Sequence, residues 1–232
     1  MSLNNLIIAL EAAANPVRAE HSQRYFKTGK GQYAEGDVFL GISMPQLRII
    51  IKPFSNANFE EIQTLFDSPF HEFRMAAALI LCEMMKTKDE GNQAEIFDFY
   101  CQNFRNINNW DLVDCSCPAI VGKFLMHKDR SILKEWAMSD HLWSQRIAMV
   151  SSWYFIRQKE VHTMLEIAEI LIHHRHDLIH KAVGWMLREA HKRHPTLIET
   201  FLENHYQTMP RTALRYAIER FSTDKKIYFM AK

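Results

Sequence analysis

Four short segments share one pattern, a cation followed closely by small and apolar residues: FRMAAALIL at Arg74, QRIAMVSSW at Arg146, HKAVGWMLRE at Lys181 and LRYAIERF at Arg215. Their spacings are 72, 35 and 34 residues, and half of the first interval lands on Trp110, inside NINNWDLVDCSCP. A period of this length constrains the chain more than any other feature. A unit of about 35 residues holds two helices, cannot bury its apolar face alone, and must stack against copies of itself.

The local pattern agrees with that period. Apolar residues recur with helical spacing in Phe70–Met85, Ile96–Phe104, Leu142–Ile156, Met164–Ile172, Leu178–Leu187 and Arg211–Phe221, and no segment alternates convincingly with period two. Pro53, Pro69, Pro195 and Pro210 stand between these runs, where a missing N–H costs little. The expectation is an all-α chain, an α-α superhelix (solenoid) of HEAT-like helix pairs, forming a single repeat domain over residues 1–232. A non-repetitive helical bundle is the alternative.

Composition narrows the function classes. The longest uncharged apolar runs, such as NNLIIAL and AMVSSWYFI, are too short to span a bilayer. The N-terminus has no basic, apolar and small-residue series of a leader, so the expected location is cytoplasmic. Cys82, Cys101, Cys115 and Cys117 lack paired spacing and read as reduced, mostly buried thiols. His173, His174 and His176 cluster without a carboxylate-bearing metal signature, so neither a metal nor a cofactor is expected. A net charge of +1 is uninformative globally, but Leu171–His194 carries five Lys/Arg and six His against two acids. That stretch reads as a helix-turn-helix edge facing phosphates, or as an ordinary solvated face. Thr28–Gly41 is the one long segment without helical character, and its glycines do not follow a phosphate-loop pattern. It reads as a mobile loop near a site.

Superposing the repeats by register places Trp110, Asp114, Arg146, Trp153, Lys181, Trp185, Arg188 and Arg215 on one helical face. In a stacked array, equivalent faces join into one surface, here a concave basic and aromatic one. Such a surface neutralises phosphates and contacts bases or sugars. The competing reading makes the tryptophans core and pairs each cation with a neighbouring acid. Asp111 lies off that face and suits the positive end of a helix capped by Asn106, Asn108 and Asn109. Pro118, four residues beyond Asp114, denies the Asp114 carbonyl its usual donor and either bends the helix there or opens a later one.

NWDLVD, LWSQRIAMV and KAVGWMLRE, with RYFKTGKGQYAEGDVFLGISMPQLR and PRTALRYAIERF on their flanks, resemble the DNA alkylation repair family of AlkD-type DNA glycosylases from about Arg24 to Phe221. The resemblance implies excision of cationic N3- or N7-alkylated purines from double-stranded DNA, with no metal; separately, a monomer is expected. It matches Asp114 to the catalytic aspartate, Trp110 to its aromatic partner, Trp185 to a second active-site tryptophan, Arg146 to a phosphate-contacting arginine and Tyr25 to an aromatic near the lesion. Lys181, Arg188 and Arg215 are further expected contacts to the DNA backbone. Two departures bear on affinity and lesion range: one arginine at Gln145-Arg146 where some relatives have two basic residues, and a longer Gly-rich stretch. A non-catalytic solenoid that binds DNA structures or a protein partner is the alternative function.

Overall fold

The computed structural model describes residues 2–231, and among them the regular structure is helical, with one isolated bridge between Val38 and Phe70. The chain divides into two compact units, Met1–Ser116 and Cys117–Lys232. In the first, α1 (Leu3–Ala12) packs on α3 (Met44–Ile51), and α5 (His71–Met84) packs on α3, α4 (Phe59–Phe66) and α6 (Glu90–Gln102). The unit also contains α2 (Pro16–Tyr25) and opens α7 (Trp110–Cys117).

Caps and prolines set these boundaries. Asn58 and Glu61 form a reciprocal capping box at the start of α4, and Asp89 accepts from the Asn92 N–H at the start of α6. Pro16 and Pro45 occupy first turns, where their missing N–H is no loss. α5 supplies the core: from Met75 through Leu81 every residue is buried. Each fully buried large side chain there contributes roughly 1.5–3 kcal/mol.

The Gly-rich segment, expected to be a mobile loop, is anchored to α5 at its C-terminal end. Glu72, buried at the start of α5, accepts the Leu40 N–H at 2.8 Å and the Gly41 N–H at 2.7 Å, with Ile42 at 3.2 Å. Gly41 has φ +81°, and a Cβ there would be driven into the backbone of Asn15 and Ala19. The segment is thereby pinned against α2, whose last residue is Tyr25.

The second unit shows the repeat directly. After a π-helical turn at Pro118–Gly122 come α8 (Ser131–Met138), α9 (Leu142–Arg157), α10 (His162–Leu171), α11 (Asp177–His191), α12 (Pro195–His205), α13 (Arg211–Ala217) and α14 (Thr223–Met230). α9, α11 and α13 pack in sequence as one row, with α8 against α9 and α10, and α12 against α11. The row helices begin at Leu142, Asp177 and Arg211, the 35- and 34-residue intervals of the sequence motif. Close approach along the row depends on glycine. A Cβ on Gly184 would strike the Ala213 carbonyl and the Tyr216 Cβ, and one on Gly122 the Ser151 carbonyl and the Tyr154 Cβ.

Candidate active site

The site is built outward from the first turn of α7. Asn109, fully buried, accepts the Trp110 N–H at 2.8 Å through its side chain, and its carbonyl takes the Val113 N–H at 3.2 Å. Asn109 is therefore the cap residue of the Asn-rich run. Leu112 and Val113 point into the core, and Ser116 bonds the Leu112 carbonyl at 2.5 Å and the Tyr100 hydroxyl of α6 at 2.6 Å. With that face fixed inward, Trp110 and Asp114, one turn apart, share the opposite face and are both half-buried.

Four residues beyond Asp114 the regular hydrogen bonding ends. The Pro118–Gly122 turn is a π-turn in which the Lys123 N–H reaches back to the Pro118 carbonyl. A residue without an N–H at position 118 forces that wider turn, so Pro118 distorts a running helix rather than opening a new one.

Aromatic rings surround Trp110. Tyr25, 59% exposed, meets it edge-on at 6.1 Å between centroids, and Phe26 stacks on it at 5.4 Å and 23°. His21 lies parallel to Tyr25 at 6.4 Å. The structure thus brings Tyr25 to Trp110, from positions 85 residues apart in the chain.

Beneath the rings is a group of charges that sequence reasoning missed. His71, 3% exposed, places Nε2 2.8 Å from Asp111 Oδ2 and Nδ1 3.5 Å from Asp37 Oδ2. Arg74 donates to Asp37 at 2.6 Å and to the Ser68 carbonyl at 2.8 Å, and Asn108 donates to Asp37 at 3.1 Å. Burial alone would lower the His71 pKa, but the bonded Asp111 carboxylate, with the Asp37 carboxylate close by, overcomes it and pushes the value up to about 9. Burial likewise opposes ionisation of Asp37, yet His71, Arg74 and Asn108 hold its carboxyl below the usual range. Asp111 is thus a helix-start acid, as expected, and also a partner of His71. Arg74, at the first repeat position, is a buried structural cation paired within its own unit.

In the second unit Arg146 lies in α9, 4% exposed, with Nη1 donating to the Leu178 carbonyl of α11 at 2.5 Å. Lys181 and Trp185, one turn apart in α11, are half-buried, and Lys181 pairs with Asp177 at 2.7 Å. Arg188, a turn further, is bridged to Glu219, and Arg215 of α13 is exposed. Trp153 of α9 lies beneath the Arg157 guanidinium at 5.0 Å. In the basic stretch His176 accepts the Leu178 N–H as the cap of α11, and His174 accepts the His176 N–H, so these two rings work as local caps.

Three of the four thiols are held away from the thiolate form. Burial pushes Cys82 and Cys101 up to about 12 and Cys115 to about 11, and none of the four cysteines is joined in a disulfide. No helix among the described residues is long and apolar enough to cross a membrane.

Comparison with known proteins agrees with this architecture. The model of the family described as DNA alkylation repair enzyme matches residues 6–221. A solved structure described as a predicted DNA alkylation repair enzyme from Enterococcus faecalis superposes with a TM-score of 0.71 at 17% identity, over 90% of this chain and 97% of that one. No curated protein sequence matches the chain. A family match over nearly its whole length, on an all-helical fold shared with that solved structure, shows that the chain belongs to the DNA alkylation repair enzyme family, and its role lies in DNA alkylation repair.

Proposed function

We propose that the protein is a DNA glycosylase that hydrolyses the N-glycosidic bond of cationic N3- or N7-alkylated purines in duplex DNA, with Asp114 as the assisting carboxylate. The observation that carries this reading is the pairing of Trp110 and Asp114 on one face of α7. A half-buried aromatic ring and a carboxylate stand one turn apart there, with Tyr25 beside the ring.

The chemistry suits those two groups. An N-alkylated purine is already positively charged, so the C1′–N bond breaks with its electron pair going to the base, which departs neutral. The sugar is left oxocarbenium-like, water adds at C1′, and the water's proton passes to the carboxylate or to solvent. A carboxylate about 4 Å from the developing charge is worth on the order of 4 kcal/mol at an effective dielectric near 20. That corresponds to roughly a thousandfold in rate. Trp110 attracts the same charge by about 0.5–2 kcal/mol through its π face, and Trp185 is assigned the same role. Lys181, Arg188 and Arg215 are assigned to the DNA backbone, with Tyr25 beside the lesion, whereas Arg146, 4% exposed and donating to the Leu178 carbonyl, is assigned to hold α9 against α11 rather than to meet a phosphate. No resident cofactor or metal enters the reaction as written.

The test is release of free base from duplex DNA carrying 7-methylguanine or 3-methyladenine. Wild type is expected to release base, and Asp114→Asn to be slower by roughly two to three orders of magnitude. Salt-dependent DNA binding by wild type with no excision on either substrate favours the non-catalytic binding reading instead.

A further inference from the structure

The charge cluster under Trp110 takes no part in the reaction as written, yet it touches the site twice. Through Asp111 it holds the first turn of α7, since Asp111 Oδ2 meets His71 Nε2 at 2.8 Å while Oδ1 accepts the Leu112 N–H at 2.8 Å. Through rings it supports the indole. His71 stacks on Phe39 at 4.5 Å and meets Phe26 at 5.3 Å and a 31° tilt, and Phe26, which also packs on Phe39 and Tyr25, stacks on Trp110 at 5.4 Å. One imidazole therefore reaches Trp110 both through the backbone of α7 and through one intervening ring.

The cluster's charges balance only with the imidazole protonated. Asp37 faces it from the Gly-rich segment, Asp111 from α7 and Arg74 from its own helix α5. Phe26 and Phe39 cover its ring faces and do not titrate. Two carboxylates then stand against one guanidinium and one imidazolium. Removing the imidazole proton leaves an excess negative charge in a site where His71 and Asp37 side chains are each only 4% exposed. It also takes away one of the two N–H groups of the ring, which faces Asp111 at 2.8 Å and Asp37 at 3.5 Å, and leaves Arg74 as the remaining cation of the cluster.

We infer that His71 is a positioning residue: as an imidazolium clamped between Asp37 and Asp111, it sets the first turn of α7 and, through Phe26, the plane of the Trp110 ring. Its consequence for catalysis rests on the glycosylase reading. Its hold on Trp110 does not, and is measurable without any activity.

Label the full-length protein with 5-fluorotryptophan, assign the Trp110 signal with Trp110→Phe, and follow it by fluorine NMR from pH 6.5 to 10. Record the His71 ring carbon, assigned with His71→Gln, beside it. Burial, which lowers the His71 pKa, is outweighed by Asp111, and the titration is expected near pH 9. The Trp110 signal is expected to move with the same midpoint, and that movement to vanish in His71→Gln. On 7-methylguanine duplex at saturating enzyme, with enzyme-free background subtracted, the single-turnover rate falls five- to tenfold across that midpoint. DNA affinity stays constant over the same range. Asp111→Asn and His71→Gln combined are no slower than the slower single variant, because they break one linkage.

A Trp110 signal that stays flat while His71 titrates overturns the proposal, as does a pH response unchanged in His71→Gln. Base release together with a flat Trp110 signal sinks the positioning role and leaves the glycosylase standing. A tracking signal with no release at any pH does the reverse. Should His71→Gln fail to fold, the wild-type titration alone decides.

Discussion

At the residue scale, the most consequential side chain outside α7 is Glu72, whose buried carboxylate takes three backbone N–H groups, those of Leu40 and Gly41 at the end of the Gly-rich segment and of Ile42 just after it. Glu72→Ala leaves those donors unsatisfied and is expected to cost about 2–4 kcal/mol. That lowers Tm by roughly 5–15 °C for a chain of this length, and a calorimetric Tm within a degree of wild type would show that Glu72 does not hold the segment. His71 makes stability depend on pH in a defined sense. Its folded pKa, about 9, lies above the ordinary value of 6.5. The stabilisation is therefore fully present below pH 6.5 and is lost as pH rises through about 9, on the order of 3 kcal/mol in all. Urea midpoints measured from pH 6 to 10 should fall over that window and not below it. Asp37 works in the opposite sense: its depressed pKa stabilises above the ordinary carboxylate range, and the effect is lost in acid. Trp110 and Asp114 were legible in the sequence because they share one helix at i and i+4. The His71 cluster was not, because its partners lie 34 to 40 residues away and no local spacing links them.

Among the elements, α11 and its neighbours carry the repeat, and the sequence motif located their starts to within a few residues because prolines and caps punctuate them. Gly184 lies within that motif, and local sequence assigns it no role. Its reason lies across the interface, where the Ala213 carbonyl and Tyr216 leave no room for a Cβ. Gly184→Ala, although it raises helix propensity, is expected to destabilise by about 1–3 kcal/mol through overpacking. In urea the midpoint should drop with m unchanged; an unchanged or raised midpoint would mean the helices separate freely. The Gly-rich segment was misread because it lacks helical period. What ties its end is distant in the chain, Glu72 on Leu40 and Gly41, Arg74 and Asn108 on Asp37 and the bridge from Val38 to Phe70, tertiary ties that local composition does not encode.

For the whole molecule, a net charge of +1 means that DNA affinity has to come from local charge. Lys181 and Arg188 are partly offset by Asp177 and Glu219, whereas Arg215 is exposed. Arg215→Gln is therefore expected to weaken binding about equally across DNA sequences and to reduce the slope of log K against log salt by about 1. An unchanged slope would remove Arg215 from the contact surface. All-helical architecture followed from periodicity, and the repeat row α9, α11, α13 from spacing, since both are properties of the chain read locally. The central claim concerns Asp114, and single-turnover release of 7-methylguanine from duplex DNA by wild type and Asp114→Asn tests it most directly. Wild type should release the base, and the variant, with helicity and DNA affinity intact, should be slower by roughly two to three orders of magnitude. Equal rates, or no release by wild type, would contradict it.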